Sequence, residues 1–131
     1  MINKSDNFLV YPVILHPELE GGYSVEVPDI NGGSWTQGET VEESLYMARD
    51  LIGINLIDCI EYPKFTPIKD IKVAKNDIIT VVDIDINKYR RSTAKTVRKN
   101  VSLPEYLVEI GKKQGINFSD VLTKALEEKL L

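Results

Sequence analysis

Apolar and polar positions in the first 86 residues follow patterns that predict four strands. Residues 8–15 form an apolar and aromatic run, and residues 23–27 alternate between apolar and polar, which is typical of a strand with one buried face. Short strands are also predicted over 35–37 and 78–86. Pro12 cannot donate a ladder hydrogen bond, so we expect the first strand to lie at a sheet edge or to contain a bulge.

One helix is predicted between the third and fourth strands. Thr40 and Glu43 have the spacing of a capping box. Apolar residues then recur at steps of three and four, so we expect the helix to run to about Ile60 and to lie across the sheet, with Cys59 as a buried structural thiol. Residues 62–67 hold two prolines and predict an irregular connection. The N-terminal module, residues 1–87, is therefore β-β-β-α-β, and the fold class is α+β.

The last 36 residues predict one strand followed by two helices. Val97, Val101 and Leu103 share one face of this strand with Lys99, and Arg98, Asn100 and Ser102 form the other, a polar face that can hydrogen-bond to base edges. Asn117 is a good N-cap for the second helix. The helices carry apolar residues at helical spacing: Leu103, Leu107 and Ile110 in the first, and Phe118, Val121, Leu122, Ala125 and Leu126 in the second.

This C-terminal segment is too small to fold alone. Below about 40 residues a core needs disulfides, a metal or oligomerisation. The chain has one cysteine, and no cluster of metal-binding residues is evident. We therefore expect no metal and no cofactor, and we expect a second copy of the chain to cover the apolar helix faces.

Charge is distributed unevenly along the 131 residues. The net charge of −4 argues against nucleic-acid binding. Residues 88–99, however, hold six lysines and arginines and no acid, and they lead directly into the predicted strand. Residues 88–95 lack apolar periodicity and are interpreted as a basic linker whose Lys88, Arg90, Arg91 and Lys95 attract phosphates. With no signal region or membrane-spanning run, we expect a cytoplasmic protein.

Residues 96–131 resemble a ribbon-helix-helix (β-α-α) DNA-binding domain. That resemblance implies a homodimer whose paired strands enter the major groove. It implies base reading by Arg98, Asn100 and Ser102, although Ser102 could instead cap the first helix as part of a second capping box. The resemblance, together with the basic linker, also implies contacts to DNA phosphate. The residues expected to make them are Lys95, Thr96, Asn117, Phe118 and Ser119.

Four segments of the N-terminal half are similar to the HicB antitoxin family: Gly22-Tyr23-Ser24-Val25, Pro28-Asp29-Ile30, Thr36-Gln37-Gly38 and Glu42-Glu43-Ser44-Leu45. The resemblance implies a degenerate ribonuclease-H-like module that binds a HicA-type toxin, a small mRNA-cleaving ribonuclease, and covers its active site. It also implies that the C-terminal dimer binds operator DNA and represses the operon of the pair. We expect two toxins per antitoxin dimer, or a larger assembly.

The toxin-binding surface is predicted in the segment 28–37. Aromatic residues are enriched where partners dock, and a small sheet with one covering helix leaves a face or an edge open. The candidate contacts are Pro28, Asp29, Trp35 and Gln37, and addition of a strand to the sheet edge is a plausible geometry.

Catalysis by this chain is not expected. Metal-dependent phosphoryl chemistry needs several converging carboxylates, and only Glu26 and Asp29 lie near a strand end. The sole histidine, His16, is predicted to lie on the surface in a loop. Two alternatives remain: a transcriptional regulator whose N-terminal module senses a ligand, and a weak ribonuclease.

Overall fold

In the computed structural model, which describes residues 8–131, four antiparallel strands form one sheet with the order β3-β2-β1-β4. The elements are β1 (Phe8–Pro17), β2 (Tyr23–Val27), β3 (Ser34–Gly38), α1 (Val41–Leu56), β4 (Ile78–Asp85), α2 (Ile86–Thr93), α3 (Glu105–Lys113) and α4 (Phe118–Leu130). A 3-10 turn, Ile68–Asp70, precedes β4. The fold is mixed α/β, and it divides into two compact units between Ala94 and Lys95.

Strand β1 is an inner strand of the sheet. It pairs with β4 over residues 8–15 and with β2 over residues 14–17. The prediction of an edge position is therefore wrong for the strand as a whole. Pro12 nevertheless lies outside the part that pairs with β2, and a residue without an N–H is tolerated where the strand has a neighbour on one side only.

The core lies between the sheet and α1. Alternate residues of the strands point toward the helix, because successive side chains leave a strand on opposite faces. The buried cluster consists of Tyr11, Val13, Leu15, Val25, Val27, Ile30, Ala48, Ile52, Leu56, Val82, Ile84 and Ile86. Full burial of one such large apolar side chain contributes about 1.5–3 kcal/mol relative to exposure. This cluster is the main source of stability for the N-terminal unit.

The predicted capping box at the start of α1 is confirmed. The Thr40 hydroxyl accepts a hydrogen bond from the Glu43 amide (3.0 Å), and the Glu43 carboxylate accepts one from the Glu39 amide (2.8 Å). The helix ends at Leu56, four residues before the predicted Ile60. Instead of continuing the helix, the chain turns, and the guanidinium of Arg90 binds two carbonyl groups in that turn.

Residues 88–95 are not an irregular linker, and that prediction is wrong. Most of them belong to α2, which Asp85 caps by accepting a hydrogen bond from the Lys88 amide (3.1 Å). Tyr89 packs over Gly53 of α1 and its hydroxyl donates to Asp50 (2.9 Å). Burial first, and Asp50 second, raise the pKa of Tyr89 to about 12. The N-terminal unit therefore extends to Ala94 rather than to residue 87.

The C-terminal unit contains α3 and α4, as predicted. Gly115 takes a left-handed conformation (φ 67°) after α3, and the Asn117 side chain caps α4. Residues 94–104 belong to no helix or strand, so the predicted strand over 97–103 is not confirmed. Within residues 95–131 only Gly111 is buried. This unit has no hydrophobic core of its own.

Candidate functional site

The exposed aromatic residue of the predicted protein-binding segment is Trp35. It lies on β3, which is an edge strand, and 57% of its surface is accessible. Gln37, two residues further along β3, is also exposed and points to the same side of the sheet. The indole of Trp35 stacks on the imidazole of His16, with ring centroids 5.1 Å apart and planes 26° apart. These contacts hold a large aromatic side chain at an open sheet edge.

His16 is not a loop residue, and that prediction is wrong. It lies in β1, with its Nε2 atom 2.9 Å from Glu26 Oε1 and its Nδ1 atom 2.9 Å from Asp77 Oδ1. Partial burial acts to lower the pKa of His16, but the two carboxylates outweigh it and raise the pKa above 6.5. The pKa of Asp77 is lowered, first by the Ala74 amide and further by His16.

The structure separates the four candidate contacts of the 28–37 segment into two groups. Trp35 and Gln37 are exposed, whereas Pro28 and Asp29 are half-buried. The Asp29 carboxylate accepts hydrogen bonds from the amide (2.9 Å) and the hydroxyl of Thr66. Asp29 therefore attaches the 62–67 connection to the sheet, and its oxygens are engaged within the unit.

The first 41 described residues are strongly acidic. Residues 8–48 contain no lysine and no arginine, and their carboxylates are Glu18, Glu20, Glu26, Asp29, Glu39, Glu42 and Glu43. Strands β1, β2 and β3 all lie in this range. Long-range attraction favours partners of the opposite charge, so this part of the sheet is suited to a cationic protein surface.

The predicted base-reading residues, Arg98, Asn100 and Ser102, are all exposed, and so are Lys95 and Thr96. Ser102 does not cap α3, since the N-cap position is Pro104 and no side chain caps this helix. The second capping box that could have engaged Ser102 is therefore absent, and its hydroxyl is available for other contacts.

The start of α4 has the features expected of a phosphate-binding helix terminus. Asn117 accepts a hydrogen bond from the Asp120 amide (3.0 Å), and helix geometry leaves the amides of Phe118 and Ser119 without an intrahelical acceptor. Lys124 lies 3.1 Å from the Asp120 carboxylate and neutralises it. The ring of Phe118 packs against Gly111 of α3, where an added Cβ would lie 2.6 Å from the ring.

The basic residues of α2 have different roles. Arg90 is half-buried and donates hydrogen bonds to the carbonyl groups of Ile57 and Cys59 and to the side chains of Asn87 and Tyr62. It is a structural residue, so its prediction as a phosphate-attracting linker charge is wrong. Lys88 and Arg91 are exposed. No signal in the sequence distinguishes Arg90 from Arg91, because the partners of Arg90 are up to 33 residues away.

Between residues 8 and 131, His, Cys, Asp and Glu side chains form no group of three that could hold a metal ion. The helices in the same range include none that is long and apolar enough to span a bilayer.

Comparisons with known proteins identify the class as antitoxins of bacterial toxin–antitoxin systems. The family model described as "HicB_like antitoxin of bacterial toxin-antitoxin system" matches residues 11–114. The chain therefore belongs to the HicB-like antitoxin family.

The proteins similar to this chain include two HicB antitoxins. Antitoxin HicB 1 of Photorhabdus laumondii is 55% identical over 42 residues, which are 32% of this chain and 26% of that protein. The chain thus matches about a quarter of this relative's length. The crystal structure of the Burkholderia pseudomallei antitoxin HicB covers 94% of this chain and 99% of its own, with 24% identity and a TM-score of 0.47.

Proposed function

We propose that this antitoxin has two activities, one in each unit. The N-terminal unit neutralises a HicA-type mRNA-cleaving ribonuclease in the cytoplasm by covering its active site. Residues 96–131 form a ribbon-helix-helix homodimer that binds operator DNA and represses the toxin–antitoxin operon. The proposal of a DNA-binding homodimer is carried by one observation, that the C-terminal unit has no hydrophobic core of its own.

The exposure of the helix faces supports dimerisation. Five apolar side chains at helical spacing on α3 and α4 are between 39% and 51% exposed: Leu107, Ile110, Val121, Leu122 and Leu126. So many exposed apolar side chains in a 37-residue unit are typical of an interaction surface. A second copy can cover them, because in a two-fold dimer the same face is used twice. The segment 97–103 then gains a strand partner from the other chain.

Base reading is assigned to the polar positions of that segment. Arg suits guanine and Asn suits adenine, because each side chain can make two hydrogen bonds to one base edge in the major groove. Arg98 and Asn100 therefore provide specificity, and Ser102 adds a third contact. Lys95, Thr96 and the start of α4 (Asn117, Phe118 and Ser119) contact phosphates and fix the orientation on the duplex.

Toxin binding is assigned to the edge strand β3. A ribonuclease that cleaves mRNA must bind a polyanion, and it therefore presents a cationic surface. The acidic sheet around Trp35 and Gln37 is complementary to such a surface, and β3 offers unpaired backbone groups for an added strand. Pro28 and Asp29 support this strand through the turn that precedes it. The simplest stoichiometry is two toxins per antitoxin dimer, and larger assemblies can form from such units.

The DNA-binding activity is tested with the full chain and a duplex from its own promoter. The logarithm of the binding constant should fall with the logarithm of salt concentration, with a slope near −0.9 for each phosphate neutralised. Asn100→Ala should cost about 1–3 kcal/mol and relax the preference at one base pair. Arg91→Ala is the control, since loss of a phosphate-attracting charge should weaken binding to all sequences equally. A flat salt response would remove the DNA-binding proposal.

The toxin-binding activity is tested with the protein encoded by the adjacent reading frame. Residues 1–94 should inhibit its RNA cleavage as the full chain does, but should not bind operator DNA. Trp35→Ala should weaken inhibition, whereas Tyr46→Ala, which removes another exposed aromatic side chain on α1, should not. Equal effects of the two substitutions would show that β3 is not the contact surface.

A further inference from the structure

His16 and Trp35 are the only histidine and the only tryptophan of the chain, and they are in direct contact. They lie on different strands, β1 and β3, with β2 between them. Glu26 on β2 is the register partner of Trp35 and binds the imidazole of His16. The exposed indole therefore rests on a half-buried polar contact between β1 and β2.

The imidazole of His16 is fixed from both sides. Each ring nitrogen lies 2.9 Å from a carboxylate oxygen, one from Glu26 and one from Asp77. Carboxylates only accept hydrogen bonds, so this arrangement needs two N–H donors and thus the doubly protonated ring. Asp77 is itself held in place, since its other oxygen accepts a hydrogen bond from the Ala74 amide (2.9 Å).

Among the described residues, the charged groups that act on the pKa of His16 are the carboxylates of Glu26 and Asp77. Its register partner on β2 is Ser24, whose hydroxyl donates to Glu18. Ser24 in turn pairs with Gln37 on β3. A protonated imidazole stacked on an indole within about 6 Å gains a favourable cation–π interaction. The geometry thus fixes one face of the Trp35 ring and leaves the rest of the side chain exposed.

We propose that His16 is a positioning residue for toxin binding, which as an imidazolium ion held by Glu26 and Asp77 fixes the indole of Trp35 on β3. This inference rests on the toxin-binding function proposed above and adds its regulation. A side chain that is already ordered binds without an additional loss of conformational entropy. Loss of the proton removes one N–H donor and the cation–π contact, which releases the indole and weakens toxin binding.

The pH dependence has a defined sign. The pKa of His16 in the folded chain lies above 6.5, because the two carboxylates outweigh the opposing effect of burial. The contact is therefore fully present below about pH 6.5, the unfolded value, and is lost as the pH rises through the folded value. Toxin affinity should decrease over that same range.

Tryptophan fluorescence of the full chain, excited where tyrosine does not absorb, tests the contact itself, because Trp35 is the sole tryptophan. The emission should change in a single step with a midpoint above pH 6.5. His16→Gln should abolish the step, and Glu26→Gln should move its midpoint down. Glu20→Gln, a control on an exposed acid outside the contact, should leave it unchanged. A step that survives in His16→Gln would overturn the proposal.

A double-mutant cycle tests whether His16 acts through Trp35 in binding the protein from the adjacent reading frame. His16→Gln should lower the affinity roughly three- to tenfold in the wild-type background, the cost of ordering one side chain, and have no effect in the Trp35→Ala background. An increase in affinity with His16→Gln, or equal losses in both backgrounds, overturns the inference while toxin binding stands. Failure of the wild-type chain to bind overturns the proposed function as well.

Discussion

Arg90→Ala distinguishes the structural role that the structure gives Arg90 from the phosphate-attracting role that the charge pattern of the sequence predicts. Arg90 and Arg91 are adjacent arginines in a basic stretch, and by sequence they are equivalent. In the structure the Arg90 guanidinium donates to the carbonyl groups of Ile57 (2.8 Å) and Cys59 (2.6 Å) at the end of α1. It also donates to Asn87 Oδ1 (2.8 Å) and the Tyr62 hydroxyl (3.2 Å).

The expected loss of stability follows from these contacts. A hydrogen bond to a charged group contributes about 1.5–3 kcal/mol, and less where water can replace the lost donor, as at this half-buried position. We count mainly the two carbonyl groups, at about 1–1.5 kcal/mol each, and expect Arg90→Ala to lower the free energy of unfolding by about 2–3 kcal/mol. Arg91 is exposed, so Arg91→Ala should change it by less than about 0.5 kcal/mol.

Urea unfolding followed by Trp35 fluorescence measures this difference in the full chain. The single tryptophan lies in the N-terminal unit, so the signal reports on that unit. With a slope of about 1–2 kcal/mol per molar urea, Arg90→Ala should lower the midpoint by about 1–3 M, and Arg91→Ala should leave it nearly unchanged. Equal midpoints for the two variants, with equal losses of DNA affinity, would refute the structural role of Arg90 and restore the linker interpretation.

Three further predictions concern the N-terminal unit, and urea midpoints check each of them. Thr40→Ala removes the cap of α1 and should cost about 1 kcal/mol, whereas Thr40→Ser should cost little. Gly53→Ala adds a Cβ 2.5 Å from the Tyr89 ring, which Asp50 holds in place; this overpacking should outweigh the gain of about 1 kcal/mol in helix propensity and leave a net loss of about 1–3 kcal/mol. The wild-type midpoint should fall as the pH rises through the folded pKa of His16, above 6.5, and this fall should be absent in His16→Gln.

Local patterns in the sequence were sufficient to predict most elements. The strands β1 to β4 follow the predicted apolar runs and alternations within about two residues, and the caps at Thr40 and Asn117 are formed as predicted. These features depend on residues no more than a few positions apart, which is why a pattern is enough to find them.

The predictions that failed depend on contacts between residues that are distant in the sequence. Helix α2 carries a large share of charged and polar residues, and it is stabilised by packing on α1 through Tyr89 rather than by an apolar stripe of its own. The prediction that Pro12 places β1 at a sheet edge failed because β1 is an inner strand that pairs with β4 alone in the part that holds Pro12. His16 and Glu26 are ten residues apart, and only the register of β1 and β2 brings them together. The signal for this contact in the sequence was the alternation along β1 and β2, which places His16 and Glu26 on the same face of the sheet.

The most direct test of the account is a titration of the full chain into an RNA-cleavage assay of the protein encoded by the adjacent reading frame. Cleavage should fall to zero at one antitoxin chain per toxin, and the chain alone should cleave no RNA. Undiminished cleavage at an excess of the chain would contradict the proposed neutralisation, and cleavage by the pure chain would instead support a ribonuclease.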